Sequence, residues 1–409
     1  MKKLAILVGG GPAPGLNAVI AAATIEARNR GLQVLGCYHG FRWLVEGDTK
    51  HIVELDIGDV SRIHFDGGSV LLTSRTNPTR SPDGVRKVAD TLKGLGVQYL
   101  LTLGGDDTAF AASQIAKVSP EITVAHVPKT IDNDLPLPGD IVTFGFTTAC
   151  NLGKDLVRNL MLDAVTTERW FFVTVMGRSA GHLALGIGGA AGATLTLIAE
   201  EFPDGNISLD RIGDVIEGAI IKRRAQGREH GVVLLSEGLA ARLDPDTLKG
   251  IERDAFGNIR LSELDLSALL KERVAASLKA RELSVTIVAK HLGYELRCAA
   301  PGAFDIQYCR SLGYWGTRFL IEGGSNAMVT IQAGRLVSIP FDEMIDPETG
   351  KVKVRHVDVN SETYHVLREY MIRLRPEDLK DKSMVKKLAT AGKMTEANFS
   401  KRFSSVVGK

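Results

Sequence analysis

The apolar run Tyr99-Leu100-Leu101-Thr102-Leu103 passes directly into Gly104-Gly105-Asp106-Asp107-Thr108, after which Ala109 to Ala116 reads as a helix. A strand that turns on two glycines straight into a helix is a building block of parallel sheets, because the helix returns the chain to the start of the next strand. The same order occurs at the beginning of the chain. Leu4–Val8 reads as a strand, Gly9-Gly10-Gly11 as a turn, and Leu16–Arg30 as an amphipathic helix ended by Gly31. Further strands are expected at Gln33–Gly36, Val97–Leu103 and Ile122–Val127, with a helix at Asp83–Leu95 capped by Asp83. Beyond Pro136-Leu137-Pro138-Gly139, the best candidate for a crossing between lobes, a long helix is expected around Thr147–Met161. Then follow strand Trp170–Val175, helix Ala180–Ala191, strand Thr194–Ala199, helix Leu209–Ala225, strand Val232–Leu235, helix Leu264–Leu283 and strand Val285–Ala289. This alternation predicts an α/β fold of parallel sheets with helices on both faces.

The glycine turns also point to chemistry. Glycines let backbone N–H groups approach a phosphate, and the following helix N-terminus adds more donors. Asp106 and Asp107 cannot bind phosphate themselves. They fit such a site if a divalent cation lies between, or if a carboxylate takes a proton from an attacking hydroxyl. That is the layout of phosphoryl transfer. The first turn, Gly9 to Asn17, is not a Walker A loop, since Leu16-Asn17 stands where Lys-Ser/Thr is required. Gly15 also falls one residue late for a dinucleotide-binding G-x-G-x-x-G.

Composition narrows the setting. The 409 residues suggest roughly two to three domains, and the net charge of +2 gives no reason to expect nucleic acid or a membrane surface as a partner. Cys37, Cys150, Cys298 and Cys309 show no paired C-x-x-C spacing and read as reduced thiols. The apolar run after Met1-Lys2-Lys3 is too short for a signal-peptide core, so a cytoplasmic location is expected. Towards the end, Pro340 to Arg355 reads as a loop or hairpin turning at Asp346–Gly350. Ser361–Leu374 reads as an amphipathic helix, and residues from about Lys380 as a docked helix or partial disorder.

Five motifs in order give the chain a specific likeness: G-G-x-x-P-G-x-N (Gly10 to Asn17), G-G-D-x-T (Gly104 to Thr108), T-I-D-N-D (Thr130 to Asp134), M-G-R (Met176 to Arg178), and a late S-E-G (Ser236 to Gly238) with G-Y-E-L-R (Gly293 to Arg297). Between about Leu4 and Phe341 the chain resembles the phosphofructokinase family. The resemblance implies two Rossmann-like three-layer lobes with mainly parallel sheets and an active site in the cleft between them. Residues 1–138 plus about 301–345 would form the donor lobe, 139–300 the sugar-phosphate lobe, and 346–409 an extension packing on the lobes.

The same resemblance implies roles. Asp132 would be the base that takes the proton from the sugar's 1-hydroxyl, and Asp106 would hold Mg²⁺ against the donor phosphates. Gly10, Gly11, Gly105 and Thr108 belong to the donor cradle, and Arg75 would span donor and acceptor phosphates. Thr130 and Asp134 would support the catalytic loop, Thr130 also touching sugar or phosphate. Met176, Gly177, Arg178, Arg169 and Arg297 fall where the family holds its sugar phosphate, and a planar guanidinium suits phosphate oxygens. Glu237 would accept hydrogen bonds from sugar hydroxyls. Tyr294 stands where a substrate-phosphate histidine is expected. The arginine expected shortly before it is replaced by Val288-Ala289-Lys290, with Lys290 and His291 the nearby candidates. Family contacts there cross a subunit boundary, which implies a homodimer or homotetramer with an arginine shared between subunits.

Two departures concern the donor. ATP-using members carry glycine where this chain has Asp107, and bacterial ATP enzymes commonly have glycine where it has Lys129. A carboxylate at Asp107 blocks the path of an α-phosphate, and like charges at ~4 Å cost on the order of a few kcal/mol. Lys129 supplies a cation for a compact, highly charged donor. The pair resembles the pyrophosphate-dependent members, which implies pyrophosphate and fructose 6-phosphate as substrates. An ATP-dependent enzyme, and sedoheptulose 7-phosphate as a further acceptor, remain as alternatives.

Overall fold

The computed structural model describes residues 1–139, 141–202, 205–245, 247 and 264–407. The chain divides into two compact units. The first comprises Met1–Ala149 with Tyr294–Arg355, and the second Cys150–Gly293 with His356–Lys409.

The first unit contains strands β1 (Lys3–Val8), β2 (Gln33–Cys37), β3 (Ile52–Leu55), β4 (Tyr99–Gly104) and β5 (Thr123–Pro128). The second contributes β6 (Trp170–Val175), β7 (Leu195–Leu197), β8 (Gly231–Ser236) and β9 (Ile287–Leu292), and the chain returns to the first unit for β10 (Ala327–Gln332) and β11 (Arg335–Pro340). The first sheet has the order β11-β10-β5-β4-β1-β2-β3. Its inner pairs are parallel, while the edge pairs β2/β3 and β10/β11 are antiparallel. Helices Gly84–Gly94 and Asp106–Val118 cover one face, their Val88, Leu92, Ala112 and Ile115 packing with Leu7, Leu100 and Val124. Helix Ala303–Ile321 packs on helix Leu16–Asn29, so closely that a Cβ at Gly313 would lie 2.3 Å from the Val19 carbonyl oxygen.

The second unit holds a parallel sheet of order β7-β8-β6-β9. β6 and β8 are buried along their whole length, as expected of strands covered on both faces. Helix Leu209–Ala225 begins at Ser208, whose hydroxyl accepts from the Arg211 N–H, and ends in Lys222-Arg223-Arg224, cations that suit a helix C-terminus. The final residues dock as helices Lys382–Ala391 and Glu396–Phe403. Leu388, Phe399 and Phe403 pack with Ile221, and Arg402 pairs with the buried Glu217 at 2.8 Å.

The expected elements are present, with shifts that have local causes. Asp83 stands at the cap position of helix Gly84–Gly94, yet its backbone is helical and its side chain makes no capping bond. The helix expected from Ala109 begins at Asp106, and the one around Thr147–Met161 runs Phe146–Thr167. Strand Thr194–Ala199 shortens to Leu195–Leu197 because Ala199–Glu201 winds into a 3₁₀ turn. Helix Leu264–Leu283 runs Leu266–Lys279 after an Asp265 cap, and helix Ser361–Leu374 is Glu362–Glu369, capped by Ser361. Cys37, Cys150, Cys298 and Cys309 form no disulfide among the described residues. Among the described residues, no helix is long and apolar enough to cross a membrane.

Candidate active site

In the first sheet the chain leaves β1 for β2 and β3 on one side and later adds β4 and β5 on the other. Neighbouring connections therefore diverge at the carboxyl ends of β1 and β4, the place where open α/β sheets receive ligands. Both glycine turns are there. The Gly9 N–H donates to the Leu103 carbonyl and the Gly10 N–H to the Ser74 carbonyl, each at 2.9 Å. Gly10 has φ 79°, in the region that favours glycine. At Gly11 the need is space, since an added Cβ would lie 2.0 Å from an Arg297 guanidinium nitrogen. Thr108, only 4% exposed, fills the gap between the turns, where a Cβ at Gly9 or Gly104 would collide with it.

Gly105 stands at the start of helix Asp106–Val118, so Asp106 and Asp107 occupy its first turn, where the helix dipole favours negative charge. Both are exposed, and the Asn77 amide donates to Asp107 Oδ1 at 3.1 Å.

β5 delivers Lys129. Its N–H donates to the Gly104 carbonyl at 2.8 Å, and its Nζ donates to the Gly11 carbonyl at 2.5 Å. The side chain is buried, and burial pulls its pKa down to about 8, with the Arg297 charge adding to the fall and Asp132, Asp106 and Asp134 opposing it. Beside Lys129 the T-I-D-N-D loop is held by Thr130, whose hydroxyl accepts from the Asp132 N–H at 3.0 Å. Burial, followed by the charge of Asp106, raises the Asp134 carboxyl to about 6. Burial and the nearby Arg75 charge lower the pKa of Arg297, which also lies over the Tyr294 ring, 5.3 Å from its centroid.

Lys129, Arg297 and Arg75 thus share one neighbourhood with Asp106, Asp132 and Asp134. Crowded cations suit a polyanion, and the mutual repulsion of Asp106 and Asp134 suits a divalent cation. Among the described residues no three His, Cys, Asp or Glu side chains form a ready metal cage. Asp106 and Asp134 are the carboxylates placed to hold a divalent cation such as Mg²⁺, which usually takes one or two carboxylates, with phosphates and water completing its shell.

The second unit assembles its own set at the carboxyl ends of β6, β8 and β9. Met176 follows β6, and its N–H donates to the Leu292 carbonyl at 2.9 Å. Gly177, at φ 137°, donates its N–H to Glu237 Oε2 at 3.2 Å, and Gly238 returns a bond to the Gly177 carbonyl at 3.1 Å. M-G-R and S-E-G are therefore one structure, with Arg178 exposed beside them. Arg169 is not part of it. It precedes β6 at the opposite end, so a strand of about 20 Å separates it from Met176. Asp163 is its ion-pair partner at 3.7 Å. Of the two candidates for the missing arginine, His291 pairs with Asp265 at 3.1 Å, whereas Lys290 is exposed on β9.

Two residues tied to the site carried no sequence motif. His126, on β5, is fully buried between Thr102 Oγ1 (2.8 Å from Nδ1) and the Gly104 carbonyl (3.0 Å from Nε2). A carbonyl only accepts, so Nε2 carries the proton and Nδ1 accepts from Thr102. Burial lowers the ring's pKa to about 3 and keeps it neutral. The other residue is Arg355, whose backbone N–H donates to the Asp134 carbonyl at 2.8 Å.

Known proteins bear on this arrangement. The family model "Phosphofructokinase" matches residues 3–320. A pyrophosphate–fructose 6-phosphate 1-phosphotransferase of Thermotoga maritima is 51% identical, the match covering 98% of each chain. One of Naegleria fowleri is 48% identical over 99% of this chain and 95% of its own. The solved pyrophosphate-dependent phosphofructokinase of Marinobacter aquaeolei superposes with a TM-score of 0.68 at 16% identity, covering 91% of this chain and 92% of that one, a likeness of fold.

Proposed function

The chain belongs to the phosphofructokinase family, and from that premise we infer that it transfers a phosphoryl group from inorganic pyrophosphate to the 1-hydroxyl of fructose 6-phosphate. The products are fructose 1,6-bisphosphate and phosphate. The bond broken and the ester formed are similar in free energy, so the reaction runs in both directions and serves glycolysis and gluconeogenesis.

The observation that carries this reading is the seat of Lys129: a buried cation bonded to the Gly11 carbonyl, its backbone N–H tied to Gly104, beside the carboxylates of Asp106, Asp132 and Asp134. It supports a compact donor held by Gly10, Gly11, Gly105, Lys129 and Arg75, with Asp107 against the longer chain of ATP. Asp132 accepts the proton of the sugar's 1-hydroxyl as its oxygen forms the new bond to phosphorus and the bond to the departing phosphate breaks. Lys129 and the arginines offset charge on the transferring oxygens. Asp106, with Asp134 beside it, would hold Mg²⁺, which neutralises donor charge when bound. In the second unit, Arg178 would grip the sugar phosphate and Glu237 would accept from sugar hydroxyls. We assign the first unit to the donor and the second to the sugar phosphate.

Arg169 is the arginine we assign to a neighbouring copy's site, because its own chain holds it at the far end of β6 from Met176. The working unit is then a homodimer or homotetramer, and we place it in the cytoplasm. Initial rates with fructose 6-phosphate and Mg²⁺, measured with pyrophosphate and with ATP, test the reading. Turnover with pyrophosphate is expected. Turnover with ATP alone would overturn the donor assignment and leave Asp132 standing. Silence with both would move the search to other sugar phosphates.

A further inference from the structure

The catalytic motif runs into residues 131–139, which form neither helix nor strand. Such a segment has no ladder to hold it. One side chain, more than 200 positions away in sequence, takes that place. Arg355 Nε and Nη2 each donate to the Asn133 carbonyl at 3.1 Å. Nη1 donates to the carbonyls of Ile141 at 2.6 Å and Leu137 at 3.4 Å, and Nη2 also reaches Asn133 Oδ1.

Asn133 is the point that needs holding. It lies between Asp132 and Asp134 with φ 58°, in the left-handed region, which asparagine adopts as a single residue when its short polar side chain is bonded locally. Its side-chain oxygen also accepts from the Thr143 N–H at 3.0 Å, so the turn is fixed from two directions. All three guanidinium nitrogens of Arg355 act on this one loop. Burial lowers the pKa of Arg355, while the charge of Asp134 opposes that fall. A rigid fork of donors matches several carbonyls at once, which a single ammonium cannot do.

We propose that Arg355 is a positioning residue for phosphoryl transfer, clamping the turn at Asn133 so that Asp132 and Asp134 on either side keep their working orientation. The proposal rests on the assignment of Asp132 as the base.

Arg355→Met, which keeps much of the stem and removes the donors, tests it against the wild-type enzyme in two ways. Hydrogen exchange of the peptide spanning residues 130–143 needs no turnover, so it reads the clamp even if the substrates have been misassigned. Faster exchange there is expected, and unchanged exchange overturns the proposal. In steady state kcat should fall about 100-fold while both KM values stay within about threefold, since misplacement of a reacting group acts on the transition state. Accelerated exchange with unchanged kcat also overturns it, because the clamp would then be structural only. Guanidinium ion added to the Arg355→Met enzyme should restore part of the rate. If that variant does not fold, Arg355→Lys carries the same measurements. It should show the same kcat loss to a smaller degree, and a wild-type kcat with wild-type exchange would refute the proposal.

Discussion

Lys129 Nζ donates to the Gly11 carbonyl at 2.5 Å, so one buried cation ties the turn after β1 to the loop after β5. Its pKa of about 8 in the free enzyme has a kinetic consequence. As pH rises through that value the lysine loses its proton, and the charge facing the donor disappears. kcat/KM for pyrophosphate, which reports the free enzyme, should therefore fall on an alkaline limb near pH 8. Lys129→Met should lower kcat/KM by roughly 100-fold to 1,000-fold and abolish that limb. A limb that survives in the variant would belong to another group.

The Asp132 N–H donates to the Thr130 hydroxyl at 3.0 Å, which fixes the backbone that carries the proposed base. Asp132→Asn keeps the shape and removes the basicity. kcat should fall by about 100-fold to 10,000-fold, with little change in either KM or in the circular dichroism spectrum.

Asp107 is held by the Asn77 amide at 3.1 Å, so its charge is oriented in the first turn of the helix. Asp107→Gly removes that charge together with its bulk. The kcat/KM for ATP should rise by about tenfold or more, as expected from relief of one like-charge contact near a surface. Side-by-side rates with ATP and pyrophosphate read the change, and an ATP rate that does not move would show that Asp107 does not gate the donor.

How far these residues could be read in advance depended on whether local pattern encoded their role. Trp170–Val175 was legible to the residue, because a strand covered on both faces is apolar throughout. β9 runs Ile287–Leu292, later than the expected Val285–Ala289. It is an edge strand whose carboxyl half, Lys290-His291, is exposed, so its apolar signal fades before the strand ends. The hairpin β10/β11 and helix Ala303–Ile321 lie outside the expected elements, though each has ordinary local patterning. A glycine turn before a helix is the local signal at Gly10 and Gly11, whereas Lys129 and Asp107 stand out only against the phosphofructokinase motifs around them. His126 in an apolar strand reads as a core residue. Arg355 acts on carbonyls at Asn133, Leu137 and Ile141, and no local pattern connects it to them.

His126 gives a stability signature. Its folded pKa of about 3 lies below the unfolded value of 6.5, and burial is the main cause. Above pH 6.5 both states are neutral and its bonds to Thr102 and Gly104 contribute in full. As pH falls from 6.5 towards 3 the unfolded state binds a proton that the native state refuses, so stability is lost across that window. At pH 4 the loss is about 3 kcal/mol. His126→Gln, which keeps an N–H donor but does not titrate, should show a shallower decline in urea-unfolding free energy between pH 7 and pH 4. Parallel declines would show that the ring is not held neutral.

Arg169 offers the sharpest test of assembly, because its own chain places it at the opposite end of β6 from Met176. Arg169→Ala and Asp132→Asn should each be nearly inactive alone. If a site draws Arg169 from a neighbouring copy, a hybrid dimer of the two variants has one site with both residues intact and one site lacking both. Random mixing makes about half of the dimers hybrid, each with one working site of two, so co-refolded variants should recover about a quarter of wild-type activity. If Arg169 serves its own chain, every site in the mixture lacks one essential group and no recovery occurs.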